Sequence, residues 1–187
     1  MNVLITGANG FVGKNLTQRL SAIKDHRDRT RPALQIEEIL LCTRDTSAET
    51  LADYCKKANF VVHLAGVNRP QDPGEFTVGN TDFTRTLLEM LLESGNRCPV
   101  LLSSSIQASL AGRYAGSPYG QSKKAAEKLF LAYGKETSST DSPTFTASGA
   151  APTTIPWWQP SAIISHGRHL SPSQTRQSNW NWSTLTT

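Results

Sequence analysis

Four short apolar runs mark the first half of the chain, at residues 2–7, 37–43, 59–66 and 98–105. Each run is continuously apolar and does not alternate with polar residues. This pattern is typical of strands that are buried on both faces of a parallel sheet. We therefore expect these four runs to be the buried strands of one sheet.

Stretches with helical spacing separate the runs. Their apolar residues recur about every three or four positions and form two stripes: Phe11, Leu16, Leu20 and Ile23, then Leu87, Leu88, Leu91 and Leu92. The second stretch ends at Gly95, a residue type that commonly ends helices. Alternating strands and helices predict right-handed βαβ units, and hence an α/β fold with a doubly wound parallel sheet over residues 1–137.

The character of the chain changes after Thr137. Residues 138–187 contain nineteen Ser or Thr, five Pro and all four Trp, but only three charged residues. Only the run "SAIIS" at 161–165 resembles a strand. We predict an irregular tail that is not a native domain, and an incomplete sheet whose strand at 98–105 lacks its later neighbours. A shifted reading frame or another truncation would produce this loss of periodicity, and a disordered tail is the alternative.

Composition excludes several classes of protein. The basic cluster at 24–31 contains two aspartates and no aromatic residue, so we expect a solvated loop and no nucleic-acid binding. The three cysteines are far apart and form no CxxC pair, which argues against disulfides or a metal site and fits a reducing compartment. The N-terminus lacks the features of a signal peptide, and no apolar run approaches the roughly 20 residues of a membrane span. We expect a soluble, cytoplasmic protein.

The sequence "GANGFVG" follows the first predicted strand and precedes the first predicted helix. Gly7, Gly10 and Gly13 have the spacing GxxGxxG, and Phe11 lies between them. Glycines here permit a tight turn and let the backbone approach a phosphate, while the helix N-terminus offers free N–H groups to it. The loop predicts dinucleotide binding, although three glycines in an ordinary turn are the alternative.

The residue at the end of the second strand commonly distinguishes NAD from NADP. An acidic side chain there binds the ribose 2′-hydroxyl, whereas an arginine accommodates a 2′-phosphate. Arg44 lies close to this end and Asp45 one position further. Arginine at this position favours NADPH, with NAD as the alternative cofactor. The alternative interpretation of Arg44 is a solvent-facing loop arginine.

Four motifs occur in a fixed order: GxxGxxG, "HLAG" at 63–66, the serines at 103–105 and YxxxK at 119–123. In this order they resemble the extended short-chain dehydrogenase/reductase family, which implies a Rossmann-like fold. The resemblance implies a catalytic set of Ser105, Tyr119 and Lys123. The register of the strand decides whether Ser103 or Ser104 takes the place of Ser105. The implied cofactor contacts outside the glycine loop and Arg44 are Leu64, Ala65, Gly66 and Lys123.

The chemistry of reduction explains these residue types. When a hydride reaches a carbonyl carbon, Tyr119 would protonate the oxygen while Ser105 hydrogen-bonds it. Residues i and i+4 are neighbours on a helix, so we expect Lys123 to lower the pKa of the Tyr119 phenol. The alternative interpretation is a surface helix that carries both residues by coincidence.

The segments "HLAGVNRP", "LLSSSIQA" and "PYGQSK" more closely resemble the reductases of capsular-polysaccharide assembly. This resemblance implies a cytoplasmic, NADPH-dependent reduction of the C4 ketone of a UDP-linked 4-keto-6-deoxy-N-acetyl sugar, towards UDP-N-acetyl-L-fucosamine for capsule or O-antigen. It implies that Asn68 and Arg69 lie near the sugar, although a turn stiffened by Pro70 explains them equally well. It also allows a homodimer.

The resemblance ends after the YxxxK helix. Family members continue there into a strand, an arginine- and asparagine-containing segment and a substrate-binding subdomain, whereas this chain reads "TFTASGAAPTTIPWWQP". We also expect no counterpart of the C-terminal cupin domain of the capsular reductases in residues 138–187. Two other functions therefore stay open: a noncatalytic dinucleotide-binding module or inactive product, and a nucleotide-sugar epimerase or dehydratase.

Overall fold

The structure is a computed structural model that describes residues 1–138 and 162–165. Strands and helices alternate along these residues: β1 (Asn2–Thr6), α1 (Phe11–Lys24), β2 (Glu38–Cys42), α2 (Ala48–Lys57), β3 (Phe60–His63), α3 (Gly74–Phe76), a π-helix (Thr77–Asp82), α4 (Phe83–Glu93), β4 (Val100–Ser103), 3₁₀ turns at Ile106–Ser109 and Gly112–Tyr114, α5 (Pro118–Ser138) and β5 (Ala162–Ser165). Most of the predicted tail lies outside the described residues, so its irregularity and the domain boundary at 137 stay predictions.

The five strands form one sheet in the order β2-β1-β3-β4-β5, and the first four are parallel. Side chains alternate between its faces along β1: Leu4 packs into the core beneath α2, α4 and α5, whereas Val3 and Ile5 pack on the other face with α1. Both faces are therefore covered by helices. The predicted Rossmann-like, doubly wound sheet is confirmed.

One predicted strand is less buried than expected. Continuous apolarity predicted burial on both faces, which holds for β1, β3 and β4. In β2, however, Glu38 and Leu41 are exposed, with Leu41 at 38%. Among the described residues, β2 forms the edge of the sheet and pairs with β1 alone, so its outer side receives less cover.

The first helical stripe also needs a correction. Leu16, Leu20 and Ile23 are buried as predicted, but Phe11 is 83% exposed. The three buried residues follow the i, i+4, i+7 spacing of one helix face, whereas Phe11 lies about 140° around the helix from Leu16 at 3.6 residues per turn. Phe11 is therefore the first residue of α1 beside the glycine loop and not a core residue.

The second stripe behaves as predicted. Leu87, Leu88 and Leu91 are buried, and Leu92 packs at the margin of the same core. Gly95 follows the helix with φ of +71° and donates its N–H to the Leu92 carbonyl, the geometry expected where a glycine ends a helix.

The sheet is incomplete as predicted, with four parallel strands among the described residues, but the expectation that β4 lacks a later neighbour is wrong. β5 pairs with β4 in antiparallel register, from Val100 opposite Ser165 to Ser103 opposite Ala162. The "SAIIS" run was the one strand-like segment of the tail, and its backbone satisfies N–H and C=O groups that β4 would otherwise present at an edge. No described helix is long and apolar enough to cross a membrane.

Phe130 of α5 lies in the centre of the larger core and is 0% exposed. We predict that Phe130→Ala lowers the free energy of unfolding by about 3–5 kcal/mol, because it removes buried apolar surface and leaves a cavity. Urea unfolding at unchanged m-value measures this. The exposed neighbour Lys128→Ala should change the free energy little, and a loss below about 1 kcal/mol for Phe130→Ala would contradict the described packing.

Candidate functional site

The candidate site lies at the carboxyl edge of the parallel strands. In the register of the sheet, Thr6 at the end of β1 is opposite Cys42 at the end of β2 and His63 at the end of β3. The segments that follow these strands therefore leave the same edge, which is where open α/β sheets bind ligands. The start of α5 joins them there through the end of β4.

The glycine loop is tightly packed against its neighbours. Gly7 has φ of +71°, and a Cβ placed on it would come within 2.7 Å of the Ala65 nitrogen. A Cβ on Gly13 would overlap the Gly7 carbonyl and Ala8, whereas one on Gly10 would contact only the Gly7 oxygen, at 3.2 Å. Gly7 and Gly13 thus allow the turn and the close approach of α1, and Gly10 borders free space.

The N-terminus of α1 leaves its amides available. Gly10 is the N-cap residue and provides no side-chain cap, and the first turn of α1 has no acidic residue. A helix start with free N–H groups and no competing carboxylate suits the pyrophosphate of a dinucleotide. The loop and the helix start therefore fit the predicted cofactor.

The end of β2 is joined directly to the glycine loop. The Cys42 carbonyl accepts hydrogen bonds from the Gly7 and Ala8 amides, at 3.0 and 3.3 Å. Arg44 follows two residues later, in an exposed turn before α2. Its side chain is therefore available on the loop that continues from the cofactor-binding edge.

The three adjacent serines at the end of β4 have three different partners. The Ser103 carbonyl accepts a hydrogen bond from Lys123 Nζ at 3.1 Å. The buried Ser104 hydroxyl donates to the Glu127 carboxylate. Ser105 is half-buried, and its hydroxyl interacts with the Tyr119 phenol. Of the three, the structure brings Ser105 together with Tyr119.

Tyr119 and Lys123 lie in the first two turns of α5, with Lys123 Nζ 5.9 Å from the centre of the Tyr119 ring. Burial raises the pKa of the Tyr119 phenol above its usual value of 10, and the Ser105 hydroxyl acts in the opposite direction. The predicted lowering of this pKa by Lys123 is therefore wrong for this structure. Burial is the main cause of the raised pKa, and Lys123 does not offset it, because its ammonium group is directed at the Ser103 carbonyl.

The segment after β3 first passes the glycine loop and Lys123 and then forms an exposed bend. Leu64 and Ala65 are half-buried against the glycine loop. Gly66 lies beside the site, since a Cβ on it would be 3.1 Å from Lys123 Nζ and 2.7 Å from Asn80 Oδ1. Asn68 and Arg69 lie further along in an exposed bend, and no described contact brings them to Tyr119.

Asn80 was missed in the sequence. It is 1% exposed, lies in the π-helix before α4, and clamps the Val67 backbone: its Oδ1 accepts from the Val67 amide at 2.7 Å and its Nδ2 donates to the Val67 carbonyl at 3.0 Å. Nδ2 also donates to Ser122 Oγ of α5 at 2.9 Å. Asn80, Thr84 and Leu87 share one helix face. The polar residues Asn80 and Thr84 on the same face as a core leucine were the signal in the sequence that could have indicated a buried polar contact.

His63 joins two elements beneath the site. Its Nδ1 is 2.6 Å from Thr6 Oγ1 and its Nε2 is 2.9 Å from Thr84 Oγ1. Burial, with a smaller contribution from the Lys123 charge, lowers the pKa of His63 to about 3. His63 is therefore neutral at physiological pH and structural in its contacts. Among the described residues, no three His, Cys, Asp or Glu side chains are grouped so as to hold a metal ion.

A parallel sheet with a glycine-rich first turn, and with Ser105, Tyr119 and Lys123 gathered at its carboxyl edge, is the arrangement of dinucleotide-binding short-chain dehydrogenases/reductases. Residues 3–142 match the NAD dependent epimerase/dehydratase family. The chain belongs to this family.

Two similar proteins are a UDP-sugar reductase and a capsular polysaccharide assembling protein. A UDP-2-acetamido-2,6-beta-L-arabino-hexul-4-ose reductase of Pseudomonas aeruginosa is 39% identical over 136 residues, which are 73% of this chain and 32% of that protein. The crystal structure of the capsular polysaccharide assembling protein CapF from Staphylococcus aureus is 40% identical with a TM-score of 0.55, over 73% of this chain and 32% of that one. This chain thus spans about a third of their length.

A third similar structure contains ligands. MoeE5 in complex with UDP-glucose and NAD is 28% identical with a TM-score of 0.54, over 72% of this chain and 49% of that chain.

The buried His63 predicts an acid-sensitive fold. Because its pKa in the folded state is about 3 and its usual value is 6.5, the unfolded chain binds a proton in this window that the folded chain does not. The folded state is favoured above pH 6.5 and loses stability as the pH falls towards 3, by up to about 1.4 kcal/mol for each pH unit.

Urea unfolding at several pH values measures this loss, and His63→Gln should flatten the pH dependence because glutamine does not titrate. His26→Asn replaces an exposed histidine and should keep the slope of the parent chain. If His63→Gln retained that slope, the assigned role of His63 would be wrong.

Proposed function

We propose that this chain forms the cofactor-binding and proton-donating part of a nucleotide-sugar reductase. Its reaction would be the NADPH-dependent reduction of the C4 ketone of a UDP-linked 4-keto-6-deoxy-N-acetyl sugar, in the synthesis of capsular or O-antigen polysaccharide. The observation that carries the proposal is the meeting of Ser105, Tyr119 and Lys123 beside the glycine loop. The 39% identity with the Pseudomonas aeruginosa reductase supports the substrate class.

The glycine loop and the N-terminus of α1 would hold the pyrophosphate, and Arg44 would bind the 2′-phosphate. Leu64, Ala65 and Gly66 form the neighbouring wall at the end of β3. NADPH, when bound, supplies the hydride that reduces the C4 carbon. Asn68 and Arg69 are exposed on the following bend, where we propose that they contact the UDP-sugar.

Tyr119 donates its phenolic proton to the C4 oxygen, and the Ser105 hydroxyl hydrogen-bonds the same oxygen. The raised pKa of Tyr119 keeps the phenol protonated at neutral pH. A protonated phenol suits reduction, which consumes a proton, better than the opposite direction, which needs a base.

Lys123 lies close enough to Tyr119 to assist the proton transfer. Its ammonium group is anchored on the Ser103 carbonyl and lies near the Tyr119 ring, where its charge would stabilise the phenolate left after proton transfer.

We also propose a cytoplasmic location, which the three free, buried cysteines support. A homodimer stays a prediction.

We predict that the chain binds NADPH at least about tenfold more tightly than NADH, because a charge-assisted bond to a 2′-phosphate contributes 1.4 kcal/mol or more. Arg44→Ala should remove this preference by weakening NADPH binding alone. Fluorescence titration with both cofactors measures the two affinities. Arg29→Ala removes the same charge from another exposed loop and should preserve the preference; a preference that survives Arg44→Ala would contradict the role of Arg44.

We predict that Tyr119→Phe lowers turnover of the UDP-4-keto sugar by about 10²–10⁴-fold, because it removes the proton donor. The affinity for NADPH should change less than about twofold, since the ring is retained. The assay follows NADPH consumption, both in this chain and in a chimera that continues after residue 137 as the Pseudomonas aeruginosa reductase.

Tyr114→Phe is the matched control, because Tyr114 lies in a surface 3₁₀ turn and its hydroxyl bonds only Arg113 among the described residues. Its turnover should equal that of the parent chain. Turnover that persists in Tyr119→Phe would exclude Tyr119 as the acid.

A further inference from the structure

The serine segment and α5 are joined at three successive helical positions. Tyr119, Lys123 and Glu127 follow each other at i, i+4 and i+8 and therefore lie along one side of the helix. Each meets a different member of the segment 103–105: the Ser105 hydroxyl, the Ser103 carbonyl and the Ser104 hydroxyl, respectively. Tyr119 and Lys123 take part in the proposed reaction, whereas Glu127 has no role in the reaction as proposed above.

Glu127 is held in place from outside its own helix. Its carboxylate accepts a hydrogen bond from Ser104 Oγ, and Ser104 is itself 4% exposed at the end of β4. A buried hydroxyl that donates to a carboxylate fixes the orientation of that carboxylate. The structure thus keeps a negative charge one helical turn from Lys123.

We propose that Glu127 is a positioning residue for the reaction: its carboxylate, oriented by Ser104, holds Lys123 in the ammonium form that assists Tyr119. The inference rests on the proposed reductase function. It goes beyond that function by assigning roles to Glu127 and Ser104, which act on the reacting groups only through Lys123.

The surroundings of Lys123 favour its uncharged form. The side chain is buried among Gly66, Asn80 and the Ser103 carbonyl, none of which carries a charge. Burial lowers the pKa of Lys123 to about 8, and the negative charge of Glu127 acts against this lowering.

The other titratable groups that face Lys123 supply no opposing charge. Tyr119 on the same helix is a neutral phenol at this pH, and His63 from β3 is neutral because of its burial. Glu127 is therefore the described carboxylate that favours the ammonium form. Without it, the neutral amine would become the main form of Lys123 at a lower pH.

The first experiment observes Lys123 directly and needs no turnover. NMR of the full chain, with lysines labelled with ¹³C at the ε position and Lys123 assigned through Lys123→Arg, gives the pH at which Lys123 titrates. We expect about pH 8 in the parent chain, a lower pH in Glu127→Gln, and a smaller shift in the same direction in Ser104→Ala.

Glu89→Gln is the matched control, because it removes the same charge from an exposed position on α4 and should leave the titration of Lys123 unchanged. A titration of Lys123 that is the same in Glu127→Gln and in the parent chain would overturn the inference, whatever the turnover.

The second experiment measures turnover against pH. In Glu127→Gln, Lys123 should lose its proton at a lower pH, so turnover should also begin to fall at a lower pH. The ratio of the rate at about pH 8 to the rate at about pH 6.5 should therefore fall by roughly threefold or more. Glu127→Asp keeps the charge and should restore part of this ratio. A purely structural defect would instead lower the rate equally at both pH values and would overturn the inference.

The two proposals can fail separately. A shifted titration of Lys123 in a chain and chimera that do not reduce the UDP-4-keto sugar would overturn the proposed function while supporting the electrostatic coupling. Normal reductase turnover with an unshifted titration of Lys123 would support the proposed function and overturn the role of Glu127.

Discussion

A buried chain of hydrogen bonds connects the cofactor loop to the helix that carries Tyr119. It runs from Thr6 at the end of β1 through His63 of β3 to Thr84 of α4, whose hydroxyl donates to the Asn80 carbonyl. The Asn80 side chain then reaches Ser122 of α5. Each unpaired polar group in such a place would cost about 1–3 kcal/mol, so the members fix one another's positions. The glycine loop and α5 are therefore not independent parts of the site.

This chain also sets the electrostatic conditions of the site. Its members are neutral, so they satisfy the buried backbone without screening the charges above them. Lys123 and Tyr119 consequently lie in a region where desolvation dominates: burial lowers the pKa of the lysine and raises that of the phenol, which favours the uncharged form of each. The Glu127–Ser104 pair is the described feature that favours the charged form of Lys123.

Much of this arrangement could be predicted from the sequence, because it depends on local spacing. The positions of Gly7 and Gly13 follow from the turn between a strand and a helix, and the i, i+4 relation of Tyr119 and Lys123 follows from helix geometry. Parallel strands with apolar runs then bring these local motifs to one edge.

The remaining features depend on contacts between distant segments. The exposure of Phe11 and Leu41 and the pairing of β5 with β4 depend on which elements cover which surface. The role of Asn80 requires Val67 and α5 to be in place, and the shift in the pKa of Tyr119 requires a known depth of burial. Spacing along one helix indicates which groups are neighbours, but it does not give the desolvation of either group.

The directions of the two pKa shifts that burial causes bear on the chemistry. Spacing alone suggested that Lys123 lowers the pKa of Tyr119 and so assists proton transfer from its phenol. In the described fold the phenol stays protonated and the lysine is near the middle of its own titration at about pH 8. A reduction needs a proton at the phenol before hydride transfer and a positive charge beside it afterwards. Burial favours the neutral phenol, which meets the first requirement, but it opposes the ammonium group. A nearby carboxylate opposes this second effect, and Glu127 is placed to provide it.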